Sequence, residues 1–318
     1  MSGILYMVVP CYNEEPVLEE TTRRLREKYA KLINEGKISP KSKVVYVNDG
    51  SKDKTWDIIT KIHNEDKMFR GICLSRNRGH QNAVLAGLMT AKEDADMVIS
   101  MDADLQDDID AIDEMIDQYD NGFDIVYGVR NKRTTDSFFK RFTAQTYYKM
   151  LLKLGVDIVY NHADFRLMSK RALNEMENFK EVNLFLRGIV PMVGFPSTYV
   201  YYERHERFAG ESKYPLKKML HFAFDGVTSL SIKPIRFITS LGLIIFVLSL
   251  AMLVYTIVVH FTGGSQLGWS SIMTSVWALG GLQLFSIGII GEYIGKIYLE
   301  TKARPRFIIQ EYLKDEDK

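Results

Sequence analysis

The sequence MVISMDAD at residues 97–104 joins an apolar, strand-like run to two carboxylates, Asp102 and Asp104. Earlier apolar runs also end in polar residues: residues 4–9 precede PCYNEE, residues 43–48 end in the asparagine of NDGS, and residues 71–75 precede RNRGH. Short runs of this kind, bounded by turn-forming residues, predict buried strands.

Amphipathic patterns between these runs predict helices near residues 17–34, 54–65, 81–92 and 109–119, and a fifth strand follows from residue 124. Strands that alternate with helices are typical of an α/β fold with a mostly parallel sheet. Ligands of such sheets bind beyond the carboxyl ends of the strands, where the polar motifs of this chain lie.

The acidic pair suits a divalent cation held against a diphosphate. Mg²⁺ and Mn²⁺ prefer oxygen ligands and keep phosphate oxygens in their shell, and as Lewis acids they neutralise charge on a departing nucleoside diphosphate. A lone D-x-D also occurs in solvated acidic loops, so the prediction depends on the other strand-end motifs. The sequence has no G-x-G-x-x-G after a strand and no Walker A pattern, which argues against a dinucleotide oxidoreductase and a P-loop NTPase.

Charge and cysteine content argue against further classes of protein. The net charge of +1 argues against a nucleic-acid-binding protein, which would carry a strongly basic domain. The two cysteines, far apart in sequence, indicate a reducing compartment rather than a disulfide framework. The apolar run at residues 4–9 is short and is predicted to be a first strand, not a signal peptide.

No Lys, Arg, Asp or Glu occurs between Arg236 and Glu292. Residues 237–261 and 269–291 are each long enough to cross a bilayer, which needs roughly 20 residues, and a polar loop separates them. Basic residues flank the pair but are missing from the loop, so the positive-inside rule predicts that both flanks are cytosolic. Residues 214–230 alternate lysines with apolar side chains, which favours an interfacial helix over a solvated connector.

These patterns divide the chain into four parts. Residues 1–212 form a cytosolic catalytic domain, 213–232 an amphipathic juxtamembrane segment, 233–296 a hairpin of two transmembrane helices, and 297–318 a cytosolic tail. The expected location is therefore the cell membrane, with both termini cytosolic.

Four ordered motifs, PCYNEE at 10–15, VNDGS at 47–51, DAD at 102–104 and ADFRL at 163–167, resemble those of glycosyltransferase family 2. Within it the chain looks like the polyprenyl-phosphate glycosyltransferases, relatives of dolichol-phosphate mannose synthase, and most like undecaprenyl-phosphate glucosyltransferases with two C-terminal transmembrane helices. The resemblance covers nearly the whole chain. It implies a GT-A type nucleotide-sugar-binding domain and, in the membrane, a homotetramer.

The resemblance also implies roles for individual residues. The base and ribose pocket would be lined by Pro10, Tyr12, Glu14 and Asp49. Asp102 would contact the donor, Asp104 would ligate the metal, and Asp164 would be the catalytic carboxylate, although a capping or buried paired Asp is an alternative for Asp164. Asn48 stands where many members have a second Asp, which affects only fine contacts to the nucleotide.

Basic residues would bind the phosphates of the nucleotide-sugar donor and of the lipid acceptor. The resemblance places acceptor-phosphate contacts at Arg130 and Arg141. For Arg141 a solvated basic face is the alternative. Arg76 lies near the donor edge. The loop RFAGESKY at 207–214 offers Arg207, Ser212 and Lys213 to a diphosphate and is expected to close over the bound donor.

The predicted function is transfer of one sugar from a UDP-sugar to undecaprenyl phosphate with inversion, for cell-envelope glycosylation. Glucose is the first choice of sugar, N-acetylglucosamine the second, and mannose from a GDP donor the third. Two alternatives remain. A processive polysaccharide synthase would resemble its family in having a Q-x-x-R-W signature and more spans, and an inactive membrane scaffold would not need the intact carboxylates.

Overall fold

The computed structural model describes residues 2–130, 162–181, 184–203 and 268–314, with scattered positions between 235 and 258. The strands in these residues are β1 (Leu5–Cys11), β2 (Lys43–Asn48), β3 (Phe69–Leu74), β4 (Met97–Ser100), β5 (Ile125–Arg130), β6 (His162–Ser169), β7 (Ser197–Tyr202) and β8 (Ile309–Leu313). The helices are α1 (Leu18–Asn34), α2 (Thr55–Glu65), α3 (His80–Ala91), α4 (Ala111–Asp120), α5 (Lys170–Met176), α6 (Leu186–Met192) and α7 (Trp269–Lys302).

The described strands form one sheet in the order β7-β5-β6-β4-β1-β2-β3-β8. Strand β1 is parallel to both β2 and β4, β2 is parallel to β3, and β5 is parallel to β7. Strand β6 runs antiparallel between β4 and β5, and β8 runs antiparallel to β3. The predicted α/β fold with a mostly parallel sheet is confirmed.

Helices cover both faces of the central strands. Every residue of β1 is buried, as expected for a strand between two helical layers. The side chains of Leu5, Met7 and Val9 face one core with α1, α2 and α4, whereas Tyr6 and Val8 face a second core with α3, α5 and α6. This alternation along β1 leaves its carboxyl end, where the PCYNEE motif begins, as the place where polar groups can reach a ligand.

The predicted strand positions agree closely with the structure through β5. Strand β2 has the predicted bounds, and β3 begins at Phe69, two residues before the predicted start. Strands β6 and β7 were not predicted from the sequence. Strand β6 carries the ADFRL motif, so this motif lies inside the sheet, between β4 and β5.

The predicted cytosolic tail, residues 297–318, contains the last strand of the sheet. Residues 309–313 form β8, which pairs with β3. Side chains strengthen this pairing: the Arg70 guanidinium lies 2.8 Å from Asp94, and the Lys314 ammonium lies 2.9 Å from the same carboxylate. The chain therefore returns to the sheet after the predicted hairpin.

The described residues include only part of the predicted membrane segments. The juxtamembrane segment and most of the first predicted span, 237–261, lie outside the described residues, and the second span, 269–291, falls within α7. Among the described residues, no helix combines the length and the apolar character that a bilayer crossing requires. The transmembrane hairpin stays a prediction.

Close contact between α3 and the sheet gives a test of the packing. A Cβ added at Gly87 would lie 2.2 Å from Cγ1 of Val8 and 2.8 Å from Cγ2 of Val47. We expect Gly87→Ala to lower the free energy of unfolding by about 1–3 kcal/mol, because overpacking outweighs the gain of roughly 1 kcal/mol in helix propensity. Denaturant unfolding followed by tryptophan fluorescence measures this.

Gly3→Ala is the matched control, since its added Cβ would approach no atom nearer than 3.5 Å. If the two variants unfolded at the same denaturant concentration, the close packing of α3 on β1 would be wrong.

Candidate active site

Hydrogen bonds join the loops that follow β1 and β2. The Asp49 amide donates to the carbonyl of Cys11 at 2.9 Å, and the Asn13 amide donates to Oγ of Ser51 at 3.0 Å. Asn13 adopts a positive φ of 54°, which turns the chain out of β1. The two strand-end motifs therefore form one continuous edge, as the parallel pairing of β1 and β2 requires.

Asp49 also fixes the loop that follows β3. Its buried carboxylate accepts the backbone amides of Arg78 at 2.7 Å and Gly79 at 2.9 Å. Burial raises the pKa of Asp49, while these amides and the nearby cations oppose the rise. Gly50 has a φ of +62°, and a Cβ there would lie 2.5 Å from the Asn77 nitrogen, so the two loops touch through their backbones. This contact places His80 at the start of α3.

His80 lies between two of the predicted site carboxylates. Its Nε2 atom is 3.6 Å from Oδ1 of Asp102 and 3.6 Å from Oδ2 of Asp164. Burial lowers the pKa of His80, but the two carboxylates outweigh it and raise the pKa to about 9. The imidazole therefore carries a positive charge near neutral pH and connects the end of β4 to β6.

Two arginines hold Asp164. The Arg166 guanidinium donates to Oδ1 at 3.0 Å, and Arg187 from α6 donates to Oδ1 at 3.2 Å and to Oδ2 at 3.1 Å. Burial alone would raise the pKa of Asp164, but Arg187, His80 and Arg166 hold it well below its usual range. Asp164 is thus a permanently ionised carboxylate. It is a paired, largely buried Asp on a strand, not a helix cap.

Asp102, in the DAD segment, lies near three other carboxylates. Desolvation raises the pKa of Asp102 to about 6; His80 opposes the rise, and Asp107, Asp164 and Asp104 add to it. Asp104 accepts the Gln106 amide at 3.2 Å. A divalent cation would relieve this repulsion, and two carboxylates are hard oxygen donors of the type that Mg²⁺ and Mn²⁺ bind. Within the described residues, no group of three His, Cys, Asp or Glu side chains is placed to hold a metal.

Arg130, at the end of β5, is held by two polar side chains. Its guanidinium lies 3.3 Å from the buried carboxylate of Asp107 and donates to the Tyr202 hydroxyl at 3.2 Å. Tyr202 in turn donates to Asp107. The Arg130 side chain is 21% exposed, so it reaches the cleft from within this polar group.

The other predicted residues are placed as follows. Pro10 is buried in β1, Tyr12 and Glu14 are half-buried in the next loop, and Arg76 is exposed after β3. The structure brings Asp49, Asp102, Asp104 and Asp164 to one edge of the sheet, with Arg130 beside them. Arg141, Arg207, Ser212 and Lys213 lie outside the described residues.

Sequence reasoning missed three members of the site. Arg166 lies inside the ADFRL motif but received no role, and Asp107 stands in an acidic run that offers many carboxylates. Arg187 is the clearest omission, because NLFLRGIVPMV at 183–193 contains one charge in an otherwise apolar stretch. A lone charge of this kind is seldom buried without a partner, which is the signal that could have identified it.

The charge on His80 can be measured. In metal-free buffer we expect its imidazole to titrate with a midpoint near 9, because two carboxylates favour the protonated form. Asp164→Asn should lower the midpoint, since one of these carboxylates is neutralised. Asp53→Asn, whose carboxylate accepts the Thr55 amide at the start of α2, should leave it unchanged. Histidine NMR shifts across pH 5–10 give the midpoints, and a His80 midpoint near 6.5 would contradict the geometry.

We compared the chain with known protein families and with individual proteins. The family model described as "Glycosyl transferase family 2" matches residues 6–177, and the model described as "GtrB C-terminal hairpin" matches residues 233–297. The chain is 54% identical to "Uncharacterized glycosyltransferase YkoT" of Bacillus subtilis (strain 168), over 96% of this chain and 91% of that protein. It is 39% identical to "Bactoprenol glucosyl transferase" of Shigella phage SfX, over 96% of this chain and 98% of that protein.

Among solved structures, "Mannosyltransferase PcManGT from Pyrobaculum calidifontis in complex with GDP-Man and Mn2+" covers 92% of this chain and 88% of that chain, at 15% identity and a TM-score of 0.45. The family match includes the strands and the loops that hold Asp49, Asp102, Asp104 and Asp164, and the full-length relatives agree with it. The chain therefore belongs to glycosyltransferase family 2.

Proposed function

We propose that this chain transfers a single sugar, with glucose as the first choice, from a UDP-sugar to undecaprenyl phosphate, with inversion at the anomeric carbon. The proposal rests on one observation: the carboxylate cleft lies in a chain that resembles bactoprenol glucosyl transferases over 96% of its length. The product would be a polyprenyl-phosphate-linked sugar for cell-envelope glycosylation. N-acetylglucosamine is the second choice of sugar.

The loops after β1 and β2 would receive the nucleoside. Pro10, Tyr12 and Glu14 belong to the first loop, and Asp49 to the second. Because Asp49 is tied to the Arg78 and Gly79 amides, its carboxylate has a fixed direction before any nucleotide arrives. Fixed polar groups lower the entropy cost of binding.

Asp104 and Asp102 would hold Mg²⁺ or Mn²⁺ together with oxygens of the donor diphosphate. Two protein carboxylates leave most of the coordination shell of such an ion to phosphate and water, as is usual for magnesium. When bound, the ion supplies Lewis acidity to the departing nucleoside diphosphate. Burial raises the pKa of Asp102, and the nearby carboxylates of Asp107, Asp164 and Asp104 raise it further, so a cation bound there would be favoured.

Asp164 would orient a substrate and would not remove a proton. A phosphate monoester has a second pKa of about 6, so the acceptor is already a nucleophile at neutral pH. The pKa of Asp164 is held far below that range by its arginines, which makes it a weak base. Attack of the phosphate oxygen on the face opposite the leaving group then gives inversion in one step.

The acceptor phosphate would meet Arg130 and, outside the described residues, Arg141. Arg130 is already tied to Asp107 and Tyr202, so its direction is set before the acceptor binds. The loop at 207–214, with Arg207, Ser212 and Lys213, would close over the donor and exclude water, which suppresses hydrolysis.

Residues 233–296 would cross the membrane twice and bring the lipid to the site. The uncharged stretch between Arg236 and Glu292 and the hairpin match at residues 233–297 support this proposal. The pairing of β8 with β3 adds a physical constraint, because residues on both sides of the hairpin belong to one sheet. An even number of crossings satisfies that constraint. We propose a homotetramer on the resemblance alone.

The assay that tests the function uses purified full-length protein, Mn²⁺, undecaprenyl phosphate and a panel of nucleotide sugars, with the lipid product identified by mass. We expect glucosyl-phosphoundecaprenol from UDP-glucose and at least a roughly 100-fold loss of turnover for Asp104→Asn, because weaker metal binding leaves the leaving-group charge uncompensated.

Asp108→Asn is the matched control, since this carboxylate lies in the same loop and accepts the Asp110 amide at 2.9 Å. It should keep near wild-type turnover. Product chains of several sugars would favour a processive synthase, and no donor turnover with any sugar would favour a scaffold. Equal turnover of Asp104→Asn and wild type would contradict the proposal that Asp104 is a metal ligand.

The proposed topology has a separate test. We expect Ser265→Cys, in the predicted outer loop, to react with a membrane-impermeant maleimide in intact cells, because two crossings place this loop outside. Asp317→Cys, which follows β8 in the sequence, should react only after the membrane is broken. The native Cys11 and Cys73 are buried and provide a low background. Labelling of Asp317→Cys in intact cells would refute the topology.

A further inference from the structure

The two arginines on Asp164 differ in access to solvent. The Arg166 side chain is fully buried on β6, whereas the Arg187 side chain on α6 is 30% exposed. Both meet the carboxylate, but Arg187 contacts its two oxygens through a fork of two N–H groups. Arg166 therefore holds Asp164 from inside the protein, and Arg187 is the arginine partner of Asp164 that reaches solvent.

The backbone of Arg187 is fixed although its side chain is partly exposed. The preceding amide, of Leu186, donates to Oε1 of Gln81 at 2.8 Å, which ties α6 to the first turn of α3. Leu186 and Ile189 are buried in the core beneath α3. A fixed Cα and a long side chain allow the guanidinium to change partners by rotamer changes alone.

The neighbouring charges favour an anion at this point. The Arg166 guanidinium donates to Asp164 at 3.0 Å, and the Arg187 guanidinium donates to it at 3.2 and 3.1 Å. The His80 imidazole is shared, with its Nε2 atom 3.6 Å from an oxygen of Asp164 and 3.6 Å from an oxygen of Asp102. Two permanent cations therefore meet the carboxylate of Asp164, and Arg187 is the one of the two arginines that reaches solvent.

We propose that Arg187 is a phosphate-binding residue of the transferase site, which holds Asp164 in this structure and turns its fork to a phosphate oxygen of bound substrate. The inference rests on the proposed function, whose donor diphosphate and acceptor phosphomonoester are the two sources of such an oxygen. Carboxylate and phosphate each present two oxygens that a guanidinium can bind in a bidentate manner, so the exchange preserves paired hydrogen bonds. Arg166 keeps Oδ1 of Asp164 oriented, while Oδ2 becomes available to the second substrate.

The test compares Arg187→Gln and Arg187→Lys with wild type in two measurements. Calorimetry with Mn²⁺ gives the Kd of UDP and of uridine, which lacks phosphate, and the transfer assay gives the KM of undecaprenyl phosphate. Arg171→Gln is the matched control, because Arg171 makes a similar paired contact with Asp124 at the opposite edge of the sheet. It should change neither quantity.

We expect Arg187→Gln to weaken one phosphate ligand by roughly tenfold or more, as loss of charge-assisted hydrogen bonds predicts. A higher Kd for UDP with unchanged uridine binding identifies the donor, and a higher KM for the lipid with unchanged UDP binding identifies the acceptor. Arg187→Lys should recover part of the loss, since it keeps the charge without the fork.

Unchanged Kd and KM with a lower kcat would overturn the inference, because Arg187 would then act only by holding Asp164. Equal loss of UDP and uridine binding would also overturn it. The proposed function fails in a different way: wild type would bind UDP but would not glycosylate the lipid, and the UDP arm would still decide the role of Arg187.

Discussion

The site depends on a balance between carboxylates gathered at one edge of the sheet and the cations that hold them. Asp102 and Asp107 follow β4, and Asp164 enters from β6, which runs antiparallel beside β4. Left alone, these groups would repel one another strongly in a desolvated cleft. His80 and three arginines, Arg130, Arg166 and Arg187, offset this repulsion at Asp107 and Asp164, and leave Asp102 as the carboxylate whose proton affinity is raised.

The start of α3 is set by Asp49. Asp49 draws the loop after β3 against the end of β2, and the next residue in helical conformation is His80. One end of α3 therefore serves three purposes. It supports the nucleoside edge through the loop before it, bridges two carboxylates through His80, and positions α6 through Gln81.

The sequence predicted the strands whose pattern is local and missed those that depend on distant partners. Strands β1 to β5 are apolar runs followed by turn residues, so their positions and the motifs at their ends could be recognised. Strand β6 contains Asp164 and Arg166, whose charges conceal a buried strand until they are seen to pair with each other. Strand β8 is a short, polar segment that becomes a strand because β3 offers an unpaired edge, and β3 lies far back along the chain. Its contacts with Arg70 and Asp94 have no local signature.

The position of β8 has a consequence for how the protein is made. Synthesis at roughly 5–20 residues per second separates the emergence of β3 from that of β8 by at least about ten seconds. During that time the first strands can fold, yet the outer backbone groups of β3 lack their final partner. An unpaired edge strand of this kind readily forms backbone hydrogen bonds with strands of other chains. If ribosomes delivered the following segment directly to the membrane, nascent chains would be kept apart during this interval. A truncated product that ends before residue 309 would keep β3 as an unpaired edge strand, able to pair with other chains.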